Sequence, residues 1–377
     1  MTRLVVDCRY VRVGRHDGIS RYTAGVVTAL LRRHPVTMLI CDKRQLTMLP
    51  KAPWAMARRP TSVWEPLVAL RVNRLRPDVV FSPMQTMGSI GRRYRLILTV
   101  HDLIYYRHRT PPRDLPAFVR LLWRFYHLSW WPQRLLLNGA DAVVTVSETT
   151  KSLIAEHRLT RRPVEVVPNA ADELPGSPAD AAPHDGPQVP GPGRDLVYMG
   201  SFMPYKDVDT LVRAAALLPG YRLHLMSRAG GRERDRLTSM AKGAVLVFHD
   251  GASDAEYLAT LRQAAALVTA SRDEGFGIPL LEAMRAGTPV VVSDIPIFRE
   301  IGGDAALYAE PGDAAAFAAR IRLLRDPAVR AGLIEAGRKR AADFSWDRSA
   351  ATLLGLARRL VAGPREDPRA CQEEHEG

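Results

Sequence analysis

Short apolar runs alternate with longer stretches of helical periodicity along the whole chain. In the first half, LVVDC (4–8), VTMLIC (36–41), DVVFS (78–82), LILTV (96–100), AVVTV (142–146) and VEVV (164–167) predict strands. Helices fit between them over 20–33, 64–75, 115–137 and 147–157, with Ser147 placed to cap the last. The alternation restarts with LVYMG (196–200), YRLHLM (221–226), AVLVF (244–248), ALVTA (266–270) and PVVVS (289–293). Strands and helices taken in turn predict an α/β protein with parallel sheets. No short repeat occurs, so the two halves are related architectures and not a solenoid.

Between the halves the texture changes. Residues 173–194, ELPGSPADAAPHDGPQVPGPGR, hold ten Pro or Gly among 22, a composition that sustains neither helix nor strand and marks a linker. A chain of 377 residues also exceeds what one compact core serves well. The predicted organisation is a first domain over 1–172, the linker, a second domain over 195–345, a final amphipathic helix over 346–363 and a frayed acidic tail over 364–377.

Composition narrows the class. Hydrophobic residues make up 46%, as in a soluble globular protein. No apolar run approaches the roughly 20 residues needed to span a bilayer, and the N-terminus runs straight into a strand without a signal-peptide core. A cytoplasmic protein is expected. Cys8, Cys41 and Cys371 are too scattered for a disulfide framework or structural zinc. The net charge is +13, and of the 53 basic residues 47 are Arg. They are dispersed over nearly every helix, which argues against a nucleic-acid partner, while the surplus favours an anionic ligand or an acidic membrane surface.

Residues able to do chemistry sit after predicted strands, where open parallel sheets bind ligands. Gly18, in GRHDGISRY, opens a helix whose first N–H groups suit an anion. His101 and Asp102 follow LILTV, and Asp102 can fix the tautomer of the imidazole. No Ser or Cys in a nucleophile-elbow setting accompanies them. In YMGSFMPYKD, Gly200 permits a tight turn and Lys206 lies near a helix start, placed to meet phosphate; the GxxxxGK[ST] motif is absent. The most informative stretch is RDEGFGIPLLEAMRAGTPVVVSD, residues 272–294. Capping explains at most one acid near a helix start. It does not explain Glu274 and Glu282 around the paired glycines 275 and 277.

Together these residues resemble retaining GT-B glycosyltransferases of glycosyltransferase family 4. The spacing Glu274-GFGIPLL-Glu282 carries the likeness, with GISRY, VHDL, VTVSETTKSLI, VVPNA and YMGSFMPYKDVDTLVRAA around it. The resemblance implies two Rossmann-like domains facing across a cleft, the first binding acceptor and the second a nucleotide-sugar donor. It implies that Glu282 receives ribose hydroxyls and that Glu274 contacts the transferred sugar. Gly275, Phe276, Gly277 and Ile278 would present backbone to that sugar, and His101 would line its pocket. Lys206, Gly18, Gly200 and Ser201 would surround the diphosphate. Ser201 departs from the pattern, since many members carry Arg there; Arg228 and Arg272 are candidates to replace it.

The chemistry fits those roles. Breaking a glycosyl–phosphate bond leaves negative charge on the nucleoside diphosphate. A lysine at about 4 Å is worth up to about 4 kcal/mol at an effective dielectric of 20, against roughly 0.3–2 kcal/mol for a helix terminus. The lysine dominates, and no obligatory metal or other cofactor is expected. Asp207-Val-Asp209 has the spelling of a metal-binding pair but reads as a first helical turn after Lys206. The expected reaction is transfer of a hexose, mannose first, to a glycan, lipid-linked or small-molecule hydroxyl. A UDP-glucose-type donor, an epimerase or phosphorylase relative, an inactive scaffold and a basic nucleic-acid binder are the alternatives left open. Residues 113–137 interleave Trp123, Phe125, Tyr126, Trp130 and Trp131 with Arg120, Arg124 and Arg134. They read first as a core helix with a solvated basic side, and second as peripheral contact with the inner face of an anionic membrane.

Overall fold

The computed structural model describes residues 2–14, 17–109, 120–121, 123–124, 128–171 and 193–363. The expected linker core and the acidic tail lie outside these, as does most of 113–127. The described chain divides into two compact units, one ending at Asn169 and regained from Ser345, the other Ala170–Phe344.

The first unit is built on β1 (Leu4–Asp7), β2 (Val36–Ile40), β3 (Trp54–Met56), β4 (Val79–Ser82), β5 (Arg95–Val100), β6 (Ala142–Thr145) and β7 (Val164–Val166). They pair in parallel in the order β3-β2-β1-β4-β5-β6-β7, with Leu4 opposite both Val36 and Val79. Central strands β1, β4, β5 and β6 are buried along their whole length, which is why apolar residues, chiefly Val, Leu and Ile, dominate them without a polar alternation. The second unit has β8 (Asp195–Tyr198), β9 (Arg222–Leu225), β10 (Val245–Phe248), β11 (Ala266–Thr269), β12 (Val290–Ser293) and β13 (Leu307–Ala309). Their order is β10-β9-β8-β11-β12-β13, again parallel. Its core gathers Tyr198, Leu223, Val268, Val291 and Phe317.

All eleven expected strands are present. The two that the pattern missed, β3 and β13, are three-residue edge strands, too short for an apolar run. Ser147 caps Glu148–Glu156, its hydroxyl accepting from the Thr150 N–H. The helix expected over 64–75 is instead a string of short turns, Glu65–Leu67, Val68–Val72 and Asn73–Leu75. Pro66 near its start and the β-branched Val68 and Val72 disfavour a regular helix there. Of the stretch 113–137, Trp131–Asn138 is helical, and Trp130 stacks between Tyr106 at 3.9 Å and His157 at 4.4 Å.

The final helix, Trp346–Ala362, packs in the first unit against Gly18–Leu31. Gly25 makes that contact possible: a Cβ there would stand 2.3 Å from the Trp346 indole. The Ser349 hydroxyl donates to the Pro168 carbonyl at 2.7 Å, and Arg359 pairs with Glu165 at 2.6 Å. Among the described residues, no helix is long and apolar enough to cross a membrane.

Candidate active site

Strands β8 and β11 are neighbours in the second sheet although β9 and β10 come between them in sequence. From β8 the chain steps outward through β9 to β10, then returns to β11 and steps the other way. Successive connections leave in opposite directions, so a crevice opens outside the carboxyl ends of these two strands.

Two loops fill that position. After β8 the chain turns through Gly200 and a short 3-10 turn, Pro204–Lys206. After β11 it runs through Arg272 to Gly277 into the helix Ile278–Ala286. The loops are fastened together: the Arg272 N–H donates to the Tyr205 carbonyl at 2.8 Å, and its guanidinium pairs with Asp207 at 2.9 Å. Between these ties, the Lys206 ammonium forms an ion pair with the Glu274 carboxylate. Both side chains are largely buried, 13% and 18% exposed. The Glu274 N–H donates to Asp273 Oδ1 at 3.0 Å, and Asp273 is itself buried, so the loop carries its own internal brace.

Gly277 is required by the backbone. Its φ is +97°, and an added Cβ would stand 3.1 Å from the Phe298 ring. The helix it opens has no side-chain cap and has Pro279 in its first turn. Pro279 has no N–H to satisfy and the Leu280 N–H donates to the Gly277 carbonyl at 3.0 Å, so the positive end of the helix meets this loop without a side-chain acceptor. Tyr198, Lys206, Thr269, Glu274, Gly277 and Pro279 line one pocket. The Tyr198 hydroxyl donates to the Ser201 carbonyl at 2.6 Å, and burial, with Glu274 nearby, holds its phenol well above the usual range.

The structure thus brings Lys206, Glu274 and Gly277 together. Glu282 is buried on the helix Ile278–Ala286 and is not among the residues lining that pocket. Phe276 is buried and meets Phe344 edge-on at 5.7 Å, anchoring the loop in the core. Gly275 lies in the loop between Glu274 and Phe276, and Ile278 is the first residue of the helix. Gly200 leaves room for Tyr198, whose hydroxyl would be 2.7 Å from a Cβ there. Ser201 is exposed and contributes its carbonyl. Neither arginine considered as its replacement lines the pocket: Arg272 is held by Asp207, and Arg228 Nε donates to the Asp250 carbonyl at 3.3 Å. Asp209 is bound by Arg236 at 2.7 Å. Two residues that sequence reasoning missed belong here, Tyr198 and Asp273. Tyr198 looked like core, and Asp273 was hidden beside the more conspicuous Glu274.

In the first unit, His101 follows β5. Its Nε2 donates to the Pro83 carbonyl at 2.8 Å, and its ring meets Tyr22 edge-on at 5.0 Å. Burial lowers its pKa below the ordinary histidine range. The partner that fixes its tautomer is that carbonyl, while Asp102 accepts the Ile104 N–H at 3.1 Å, a correction to the pairing expected from sequence. Gly18 begins the helix Gly18–Leu31, whose start Asp17 already caps through the Ser20 N–H. A side chain at Gly18 would meet open space, so packing does not call for glycine there.

Comparison with known proteins shows the family. Residues 184–340 match the model of Glycosyl transferases group 1, and residues 16–173 that of Glycosyltransferase Family 4. The chain is 32% identical over 270 residues to O-antigen chain mannosyltransferase B of Escherichia coli, covering 67% of each protein. It is 26% identical over 322 residues to the O-antigen chain mannosyltransferase RfbU of Salmonella typhimurium, covering 80% of this chain and 86% of that one. Among solved structures, HepE of Anabaena in complex with UDP and glucose superposes with a TM-score of 0.69 at 17% identity, over 95% of this chain and 100% of that one. The fold is GT-B, and the chain belongs to the family 4 glycosyltransferases.

Proposed function

We propose that the protein transfers a hexose, mannose in the first instance, from a nucleoside-diphosphate sugar to a hydroxyl of a glycan, lipid-linked or small-molecule acceptor, with retention of anomeric configuration. The observation that carries this reading is the pairing of Lys206 with Glu274 in one pocket beside an uncapped helix start. An ammonium and a helix terminus can take up charge on a departing diphosphate. A carboxylate next to them can hold a sugar hydroxyl and favour positive charge developing on the ring. Without donor the two side chains satisfy each other. With donor, Lys206 turns to phosphate and Glu274 to the sugar.

Glu282 is assigned to the ribose and His101 to the sugar on the strength of the family resemblance. The departing phosphate oxygen takes the acceptor's proton, so no separate base is needed. Mannose is favoured by the two O-antigen relatives, both mannosyltransferases. The solved structure holding UDP and glucose supports a UDP-glucose-type donor as the second reading.

A thermal-shift panel of GDP, UDP and ADP, each with its sugar conjugates, tests the proposal. Stabilisation by GDP and GDP-mannose, lost in Lys206→Ala, is the expected result. No response to any nucleotide, together with steeply salt-dependent binding of DNA or RNA, would overturn it.

A further inference from the structure

The segment 51–76 of the first unit exposes apolar side chains where soluble proteins usually carry polar ones. Val63 is 88% exposed, Trp64 54%, and Leu70 51%. Trp64, Leu67 and Leu70 recur at three-residue spacing along the broken helical string, which puts them on one side. A second segment joins them. The Ile90 N–H donates to the Pro66 carbonyl at 3.2 Å, and Asn73 Nδ2 donates to the Gly91 carbonyl at 2.8 Å. At Gly91, φ is +72° and a Cβ would stand 2.8 Å from Leu70. These ties hold Ile90, 59% exposed, beside Leu67 and Leu70.

The exposed charge along this segment has one sign. Lys51, Arg58, Arg59, Arg71, Arg74 and Arg76 are all exposed. No carboxylate pairs with any of them among the described residues. The one acid in the segment is Glu65, and both of its oxygens are taken by the buried Arg9, at 2.6 and 2.8 Å. The guanidinium of Arg58 lies over the Trp64 ring, 5.5 Å from its centroid, so cation and indole sit at the same level.

A protein partner is met by a rim of mixed polarity around a core depleted of charge. Here the segment carries six exposed cations, and its one acid is turned to Arg9. An aromatic and aliphatic face with exposed cations along the same segment, Arg58 directly over Trp64, is what a headgroup layer with acyl chains beneath it accommodates.

We propose that the surface formed by Trp64, Leu67, Leu70 and Ile90, with Arg58 and Arg74, docks the first unit on an anionic phospholipid bilayer. The proposal goes beyond the donor chemistry and does not depend on it. Trp130, which drew attention in the sequence, is committed to packing between Tyr106 and His157.

Sedimentation of the full chain with vesicles of phosphatidylcholine alone, or mixed with phosphatidylglycerol, tests it. Binding only to the mixed vesicles, falling as salt rises, is expected. Each cation near such a surface is worth roughly a fivefold factor in partition, so Arg58→Glu with Arg74→Glu should lower it roughly 25-fold or more. Trp64→Ser with Leu67→Ser should lower it about tenfold or more. These side chains are exposed, so both variants should melt with the wild type; if one pair fails to fold, the other decides. Glu274→Gln should sediment normally, which separates docking from catalysis. Equal binding to neutral vesicles, no binding to anionic ones, or undiminished binding by a folded variant would overturn the proposal.

Discussion

Lys206 and Glu274, 68 residues apart in the chain, form one ion pair at the switch point of the second sheet. Each would be an expensive group to bury alone. Together each offsets the other's charge at one place, and under the proposed function a bound donor separates them.

Replacing one member should therefore act differently from replacing the other. Glu274→Gln frees the ammonium, so affinity for a nucleoside diphosphate should hold or rise while turnover falls several tens-fold. Lys206→Ala removes a charged hydrogen-bond donor and should weaken diphosphate binding about 10- to 100-fold. Calorimetric titration and initial rates on both variants decide the matter. Normal turnover in Glu274→Gln would remove it from the reaction.

Metal removal should leave the activity intact. Asp207 is paired with Arg272 and Asp209 with Arg236, so neither carboxylate of the metal-like spelling is spare for a cation. Rates measured before and after EDTA should agree. Abolition by EDTA, restored by a divalent ion, would mean that the leaving charge is stabilised in another way.

The close approach of Gly25 to Trp346 makes a stability prediction. Gly25→Val should destabilise the first unit by about 1–3 kcal/mol by overpacking the contact between the first and last helices. Trp346→Ala in the same background should recover part of the loss. Denaturant midpoints of the single and double variants measure it; independent, additive losses would show that the two residues do not share that contact.

His101 makes a pH prediction with a definite sign. Burial depresses its folded pKa, while an unfolded histidine titrates near 6.5. The unfolded chain thus takes up the proton first as the solution is acidified. The stability linked to neutral His101 is fully present above about pH 6.5 and is lost as pH falls through its folded pKa. Unfolding free energies from pH 8 to pH 5 should decline less steeply in His101→Gln than in the wild type. Identical slopes would detach the histidine from the acid sensitivity.

The chain itself determined the fold class. Buried parallel strands must be apolar along their length, so runs such as Val79–Ser82 and Val290–Ser293 are visible without any partner. Glu274, Gly277 and Lys206 stood out for a similar reason, because acids, a lysine and glycines beside strand ends contradict core packing. Tertiary structure alone decided which of these meet. Strand order, not sequence distance, sets β8 against β11 and so brings Lys206 to Glu274. It also fixed the tautomer of His101 through a carbonyl eighteen residues upstream, turned Glu65 inward to Arg9, and left Trp64 outside. Local pattern reports what one element needs to be stable. Which charge faces which is an energy shared by segments distant in the chain, and it exists only once they are packed.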